Sequence, residues 1–290
     1  MTKAVSRTVG RTPVGVDVNR PSLARVCNRL LGGKDNYQPD DHVVAQLEQA
    51  APGQRAAARR SREFQQRVLQ YLASTVGITQ FLDLGAGLPA PSAIPNTHQI
   101  TGLGARGEAD RPTVVYIDND PLCNAHGRAL MADNDRTHYV MGDLTDPALL
   151  RDPTVSTYLD ADAPIGVLLC GVLHHFEKDL DPGGIVRGWV EVLPSGSFLA
   201  LTHLFDPGSG HPLHPFAAAC QDRYLCALGS GWFRSREEIT GFFDGMEILA
   251  PSVGADPGLV APDQWWPYGP PVRFKSVAER LVTVGVGWKP

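Results

Sequence analysis

Residues 80–91 read QFLDLGAGLPAP, an apolar run with one carboxylate followed by glycine, alanine and glycine. Such a run is the pattern of a buried strand that turns sharply, where α/β proteins hold nucleotides. Gly85 to Ala90 also satisfies G-x-G-x-x-A, so the glycines alone leave a dinucleotide, S-adenosylmethionine or no ligand open. Asp83, two residues before Gly85, puts a carboxylate at the strand end, where it repels a pyrophosphate and attracts an ammonium group.

Working outward, VVYIDNDP places Asp118 at the end of the next strand, where a carboxylate can accept from both ribose hydroxyls. MGDLTD places Asp143 beyond the third strand, where it can accept from an adenine amine while apolar neighbours cover the ring. Taken singly, each has a structural reading: a charge at a helix N-terminus for Asp83, a cap before Pro121 for Asp118 or Asp120, and a turn residue for Asp143. Three carboxylates in register with a glycine-rich first turn favour the cofactor.

Strands at 79–84, 113–118, 137–142, 165–171 and 196–204 alternate with a helix somewhere in 92–104 and helical segments at 121–132, 146–159 and 179–193, the signature of a parallel sheet covered by helices. A helix at 215–228 and a capping box at Ser235 and Glu238 follow, and strands at 247–251 and 280–289 are expected to pair antiparallel. Residues 1–21 read as a polar arm and 22–76 as an N-terminal helical section broken at APGQ. Residues 77–290 read as the sheet domain, with a late insertion at about 206–236 serving as a lid.

A chain of 290 residues, 43% hydrophobic and 20% charged, buries a large core and is not disordered throughout. A net charge of -5 gives no reason to expect nucleic acid as a partner. Five cysteines without a C-x-x-C pair argue against a disulfide framework or thiolate zinc site. With no apolar run of membrane-spanning length and no signal-peptide core at the N-terminus, the expected location is cytoplasmic.

The segments LARVCNRLLGGKDNYQPD, ARRSREF, QFLDLGAGLP, VVYIDNDP, GVLHHF and FRSREEITGFFDGMEIL together resemble an actinobacterial S-adenosylmethionine-dependent methyltransferase family once catalogued as a domain of unknown function. The resemblance implies a class I methyltransferase fold: a Rossmann-like, seven-stranded, mostly parallel sheet with an antiparallel edge ribbon and an N-terminal helical cap. It implies that Asp83, Gly85 and Gly87, with Ala86 between them, form the methionine-end loop. Asp118, followed by Asn119, becomes the ribose ligand, and Asp143 with Leu144, preceded by Gly142, the adenine edge. Cys170 and Gly171 would run beside the cofactor. In such a protein GGKDNY closes over the donor, with Gly33, Lys34 and Asn36 in the loop and Tyr37 shielding the sulfonium; as pure structure it is a helix stop and a polar turn.

The expected function is methyl transfer from S-adenosylmethionine to a small-molecule, secondary-metabolite-like acceptor, with a non-catalytic cofactor-binding module or an NAD-dependent oxidoreductase as alternatives. The candidate catalytic residues are His203, at the end of the fifth strand and expected to titrate near neutrality, and His174 and His175 after the fourth. Alternation along a strand lets only one of the last two face a pocket. His211 and His214 lie among prolines and give no metal site. Arg55, Arg59, Arg60 and Arg62 read as a solvated helix face, with anion binding the lesser alternative.

Overall fold

The computed structural model describes residues 16–107, 110–131, 134–266, 272 and 274–290, so the expected arm lies mostly outside the described residues. Five strands run parallel: β1 (Gln80–Leu84), β2 (Thr113–Asp118), β3 (Thr137–Met141), β4 (Gly166–Cys170) and β5 (Phe198–Leu204). β7 (Val282–Trp288) then pairs antiparallel with β5 and with the short β6 (Glu247–Ile248), giving the order β3-β2-β1-β4-β5-β7-β6. All five residues of β1 are buried, because helices cover both faces of the sheet. One face packs around Trp189 of α7 (Pro182–Val192), and the other around Phe64 and Trp265.

The chain reverses direction across the sheet between β1 and β4, opening a crevice at the carboxyl ends of the strands. Over that crevice lie α1 (Leu23–Leu30), α3 (Gln54–Gln70) and α8 (His214–Leu228), with α2 (Gln38–Ala50) packed on α1 and α8. α1 and α2 are joined by one buried carboxylate. Asp40 accepts from Arg25 Nε at 2.9 Å, Ser22 N at 3.0 Å and Tyr37 N at 2.8 Å, so its charge is paired and both of its oxygens are hydrogen-bonded. Val26, Leu30, Val44 and Leu47 then pack with Tyr224 of α8.

Two expected elements are shorter than their periodicity suggests, while the helix expected somewhere in 92–104 is the short α4 (Thr97–Thr101), after a proline-rich run. The 146–159 segment is a 3-10 turn, Pro147–Arg151, followed by the single turn α6 (Pro153–Ser156); each begins at a proline capped by the preceding aspartate, and Pro153 cannot continue a helix from before it. β6 ends early, before Pro251.

α5 (Pro121–Leu130) crosses β3 at Gly127, where a Cβ would stand 2.0 Å from the Tyr139 ring. Tyr139 donates to Gly87 O at 2.9 Å, which limits how far that ring can move. Gly127→Ala should therefore destabilise the fold by about 1–3 kcal/mol through overpacking, although alanine is the better helix former by about 1 kcal/mol. Thermal denaturation decides it: an unchanged or higher Tm would show that the ring gives way.

Candidate active site

The glycine loop is pinned from below. Gly85 N and Ala86 N both donate to Ile117 O, at 2.8 and 3.1 Å, and Gly87 N donates to Asp118 Oδ2 at 2.8 Å. Gly85 has φ 69°, and a Cβ there would meet Val172 Cγ2 at 2.5 Å, so backbone and packing both require glycine. With these three amides committed, they form no nest for a pyrophosphate. The chain also runs irregularly to Thr97, so the loop leads into no helix N-terminus. The dinucleotide alternative fails on both counts.

Above the loop lies one cavity of about 470 Å³, in the size range of small-molecule sites. Gly85, Ala86, Gly87, Asp118, Asn119, Asp143, Leu144, Cys170 and Gly171 all line it. Asp118 accepts from Gly87 N through one oxygen and from Asp120 N, at 2.9 Å, through the other. A carboxylate has about four lone-pair sites, so each oxygen keeps one for a ligand hydroxyl. Burial pushes this carboxyl above its ordinary range. Asp143 accepts from Thr145 N and Thr145 Oγ1, both at 2.9 Å and both through Oδ1, which leaves Oδ2 without a protein donor. The turn reading and the cavity reading of Asp143 therefore hold together. Gly142 stands outside the lining: a Cβ there would press on Leu149 at 3.0 Å, so it is a packing glycine.

Asp83 is buried beneath the cavity and does not line it. It accepts from Thr97 Oγ1 at 2.7 Å and from Gln65 Nε2 at 3.5 Å, and burial raises its carboxyl to about 6. Gln65 in turn accepts from Arg62 Nη1 at 2.8 Å, and both Arg62 and Gln65 line the cavity. The arginine cluster is therefore divided. Arg60 pairs with Glu63 and Glu279, Arg55 donates to Arg29 O, and Arg62 faces inward. Ala58 and Ser61 line the cavity beside it, but nothing in the charged sequence around Arg62 separates it from Arg59 and Arg60.

The GGKDNY loop lies outside the lining, contrary to the expectation that it closes over the donor. Asn36 Nδ2 donates to Asn28 Oδ1 at 3.2 Å and to Gly33 O at 2.9 Å, and a Cβ on Gly33 would strike the Asn28 side chain. Lys34 is exposed, and Tyr37 precedes α2 with the Arg25 guanidinium 5.3 Å from its ring centroid. The loop thus sets Asn28, and it is α1, through Ala24, Cys27, Asn28 and Leu31, that covers the cavity.

His174, His175 and His203 also line the cavity. His174 and His175 lie on a 3-10 turn, Leu173–His175, with ring centroids 4.1 Å apart, so the alternation that would separate them on a strand does not apply. His203 is engaged at both nitrogens: Nδ1 donates to Leu204 O at 2.7 Å and Nε2 accepts from Arg234 Nη1 at 3.0 Å. It has no lone pair left for a substrate proton. Burial lowers both His175 and His203 to about 3, so the expectation of a histidine titrating near neutrality fails for His203.

The sign of the pH effect follows. In the unfolded chain these rings protonate near 6.5, so between about pH 6.5 and 3 the unfolded state binds more protons and stability falls as pH falls. Asp83, raised from 3.8 to about 6, takes its proton first in the folded state and offsets part of that loss between those values. Histidine Cε1–H resonances of the folded protein should accordingly keep the neutral-imidazole position for His175 and His203 from about pH 8 down to about pH 5. A midpoint near the ordinary histidine value for either ring would show it to be solvated.

Sheet order, glycine turn and carboxylates at successive strand ends together define a class I S-adenosylmethionine-dependent methyltransferase fold. Residues 10–290 match the S-adenosyl methyltransferase family, and the chain belongs to it. A candidate methyltransferase from Thermobifida fusca superposes with a TM-score of 0.84 at 34% identity, over 96% of this chain and 98% of that one. A DUF574 family protein from Streptomyces avermitilis gives a TM-score of 0.82 at 29% identity, over 94% and 99%. A search of functionally curated proteins returns no match. The cofactor of the family is S-adenosylmethionine, and the paired free lone pairs of Asp118 beside the glycine loop fit it. No helix among the described residues is long and apolar enough to cross a membrane.

Proposed function

We propose that the protein methylates a small, secondary-metabolite-like acceptor bound at the histidine end of the cavity. One observation supports this reading: a single cavity is lined both by Asp118 and Asp143 and by His174, His175 and His203, which suits a cofactor and a second molecule in one enclosure. Bound there, S-adenosylmethionine supplies an electrophilic methyl group on a sulfonium.

The residues of the chain bind and orient. The free lone pairs of Asp118 accept from the ribose hydroxyls, Asp143 accepts from the adenine amine through the oxygen left free by Thr145, and Leu144 covers the ring. Arg62, held by Gln65, pairs with the carboxylate of the methionine moiety. Asp83 acts one layer back, fixing Gln65 and Thr97. Residues 22–76 and the insertion at 206–236 serve as the roof, and the remainder of 77–290 as the cofactor domain. Under that roof, exclusion of water and alignment of the two reactants supply most of the rate.

Calorimetry with S-adenosylhomocysteine tests the reading. The wild type should bind, and Asp118→Ala should weaken binding by at least ~1 kcal/mol, since two hydroxyls lose a charged acceptor. Arg62→Met should weaken it by a similar amount. Unchanged dissociation constants in both folded variants would place the cofactor elsewhere.

A further inference from the structure

The acceptor end has an unusual polarity. Its walls include the apolar surfaces of Tyr224, Phe233 and Leu204. Set among them is His174, only 7% exposed, whose ring has no hydrogen-bond partner among the described residues and whose Nδ1 is buried. Its ring meets His203 edge-on at 5.6 Å and Tyr224 at 6.5 Å, so neighbouring rings fix its orientation. A buried imidazole without a partner costs free energy until something supplies one.

Behind it lies a buried cation. Arg234 is 6% exposed and donates to Leu173 O at 3.1 Å, to Phe176 O at 2.5 Å and to His203. Its charge is met by two carbonyls and an imidazole. These bonds span the turn that carries His174, and burial, reinforced by the neighbouring His175, His203 and Arg234, keeps His174 neutral. The field of Arg234 opposes a cationic ligand and favours an atom gaining negative character.

Resting on the two-ligand reading of the cavity, we propose that the acceptor is an uncharged hydroxyl compound of phenol type, whose hydroxyl donates to His174 and whose ring lies against Tyr224, Phe233 and Leu204. His174 is then the proton acceptor and Arg234 a positioning residue. In the proton step the O–H bond breaks with its electron pair remaining on oxygen, and a ring nitrogen of His174 gains the proton. An oxygen that is losing electron density to an incoming methyl is strongly acidic, so a weakly basic neutral imidazole suffices. His203, saturated at both nitrogens, cannot take this part.

The test uses the full-length protein saturated with S-adenosylhomocysteine and three probes of one shape: 4-ethylphenol, 4-ethylanisole and 4-ethylbenzylammonium. Titration calorimetry should show the phenol binding about tenfold more tightly than the anisole, the difference made by one buried hydrogen bond, and the ammonium more weakly than either. His174→Phe, which keeps an aromatic ring, should erase the phenol preference, and His174→Gln, which keeps a polar partner, should retain part of it. Affinity for S-adenosylhomocysteine should be unchanged in both, with circular dichroism confirming the fold. Equal binding of phenol and anisole, tightest binding of the ammonium, a preference that survives in both variants, or no binding of any probe would overturn the proposal. Failure of S-adenosylhomocysteine to bind the wild type would instead overturn the cofactor reading beneath it.

Discussion

The carboxylate of Asp118 joins the end of β2 to the glycine loop that follows β1, through one bond to Gly87 N and another to Asp120 N. That double anchorage decides what the crevice can hold. It consumes the amide that a pyrophosphate would need, leaves a negative charge in its place, and keeps two lone pairs in reserve for hydroxyls. Tyr139 completes the arrangement by donating to Gly87 O, which ties β3 to the same loop, and α5 can approach β3 closely enough only because Gly127 has no side chain. The loop, three strands and one helix are thus adjusted to a single carboxylate.

The two ends of the cavity are built on opposite electrostatic plans. At the cofactor end, acidic groups at strand ends face Arg62, so charge is present and partly solvated. Elsewhere in the cavity three imidazoles are held neutral by burial, with Arg234 adding to the effect at His174 and His203, among aromatic and aliphatic walls. Under the proposed function, an enclosure of this kind would seat a polar cofactor and a less polar acceptor without a partition between them.

Much of this was legible in the sequence, for physical reasons that also mark where legibility stops. A strand followed by a tight turn has a local signature, so Gly85, Gly87, Asp118 and Asp143 could be placed from their spacing and the sheet class from alternation. What passes over the sheet has no such signature. Arg62 and Gln65 look like ordinary residues of a charged helix, and only the packing of α3 on β1 brings them to Asp83. GGKDNY was legible as chemistry yet misplaced, because its amide and glycine serve Asn28 one helix earlier. His203 was found in the cavity but its role was not, since the partner that saturates it, Arg234, lies 31 residues away in the chain.

The position of β7 between β5 and β6 has a consequence for how the molecule is made. β6 has no ladder until β7 arrives, and α3 is fastened to the same late segment: Arg60 bonds Glu279 across 219 residues, and Ala278 N donates to Pro52 O. On a ribosome the roof helices emerge before these partners. Contacts so distant in sequence slow folding, because a long loop must close before they stabilise anything. Ala278, Leu281 and Val282 also line the cavity, so its wall is complete only once β7 has entered the sheet, and ligand affinity reports on that docking.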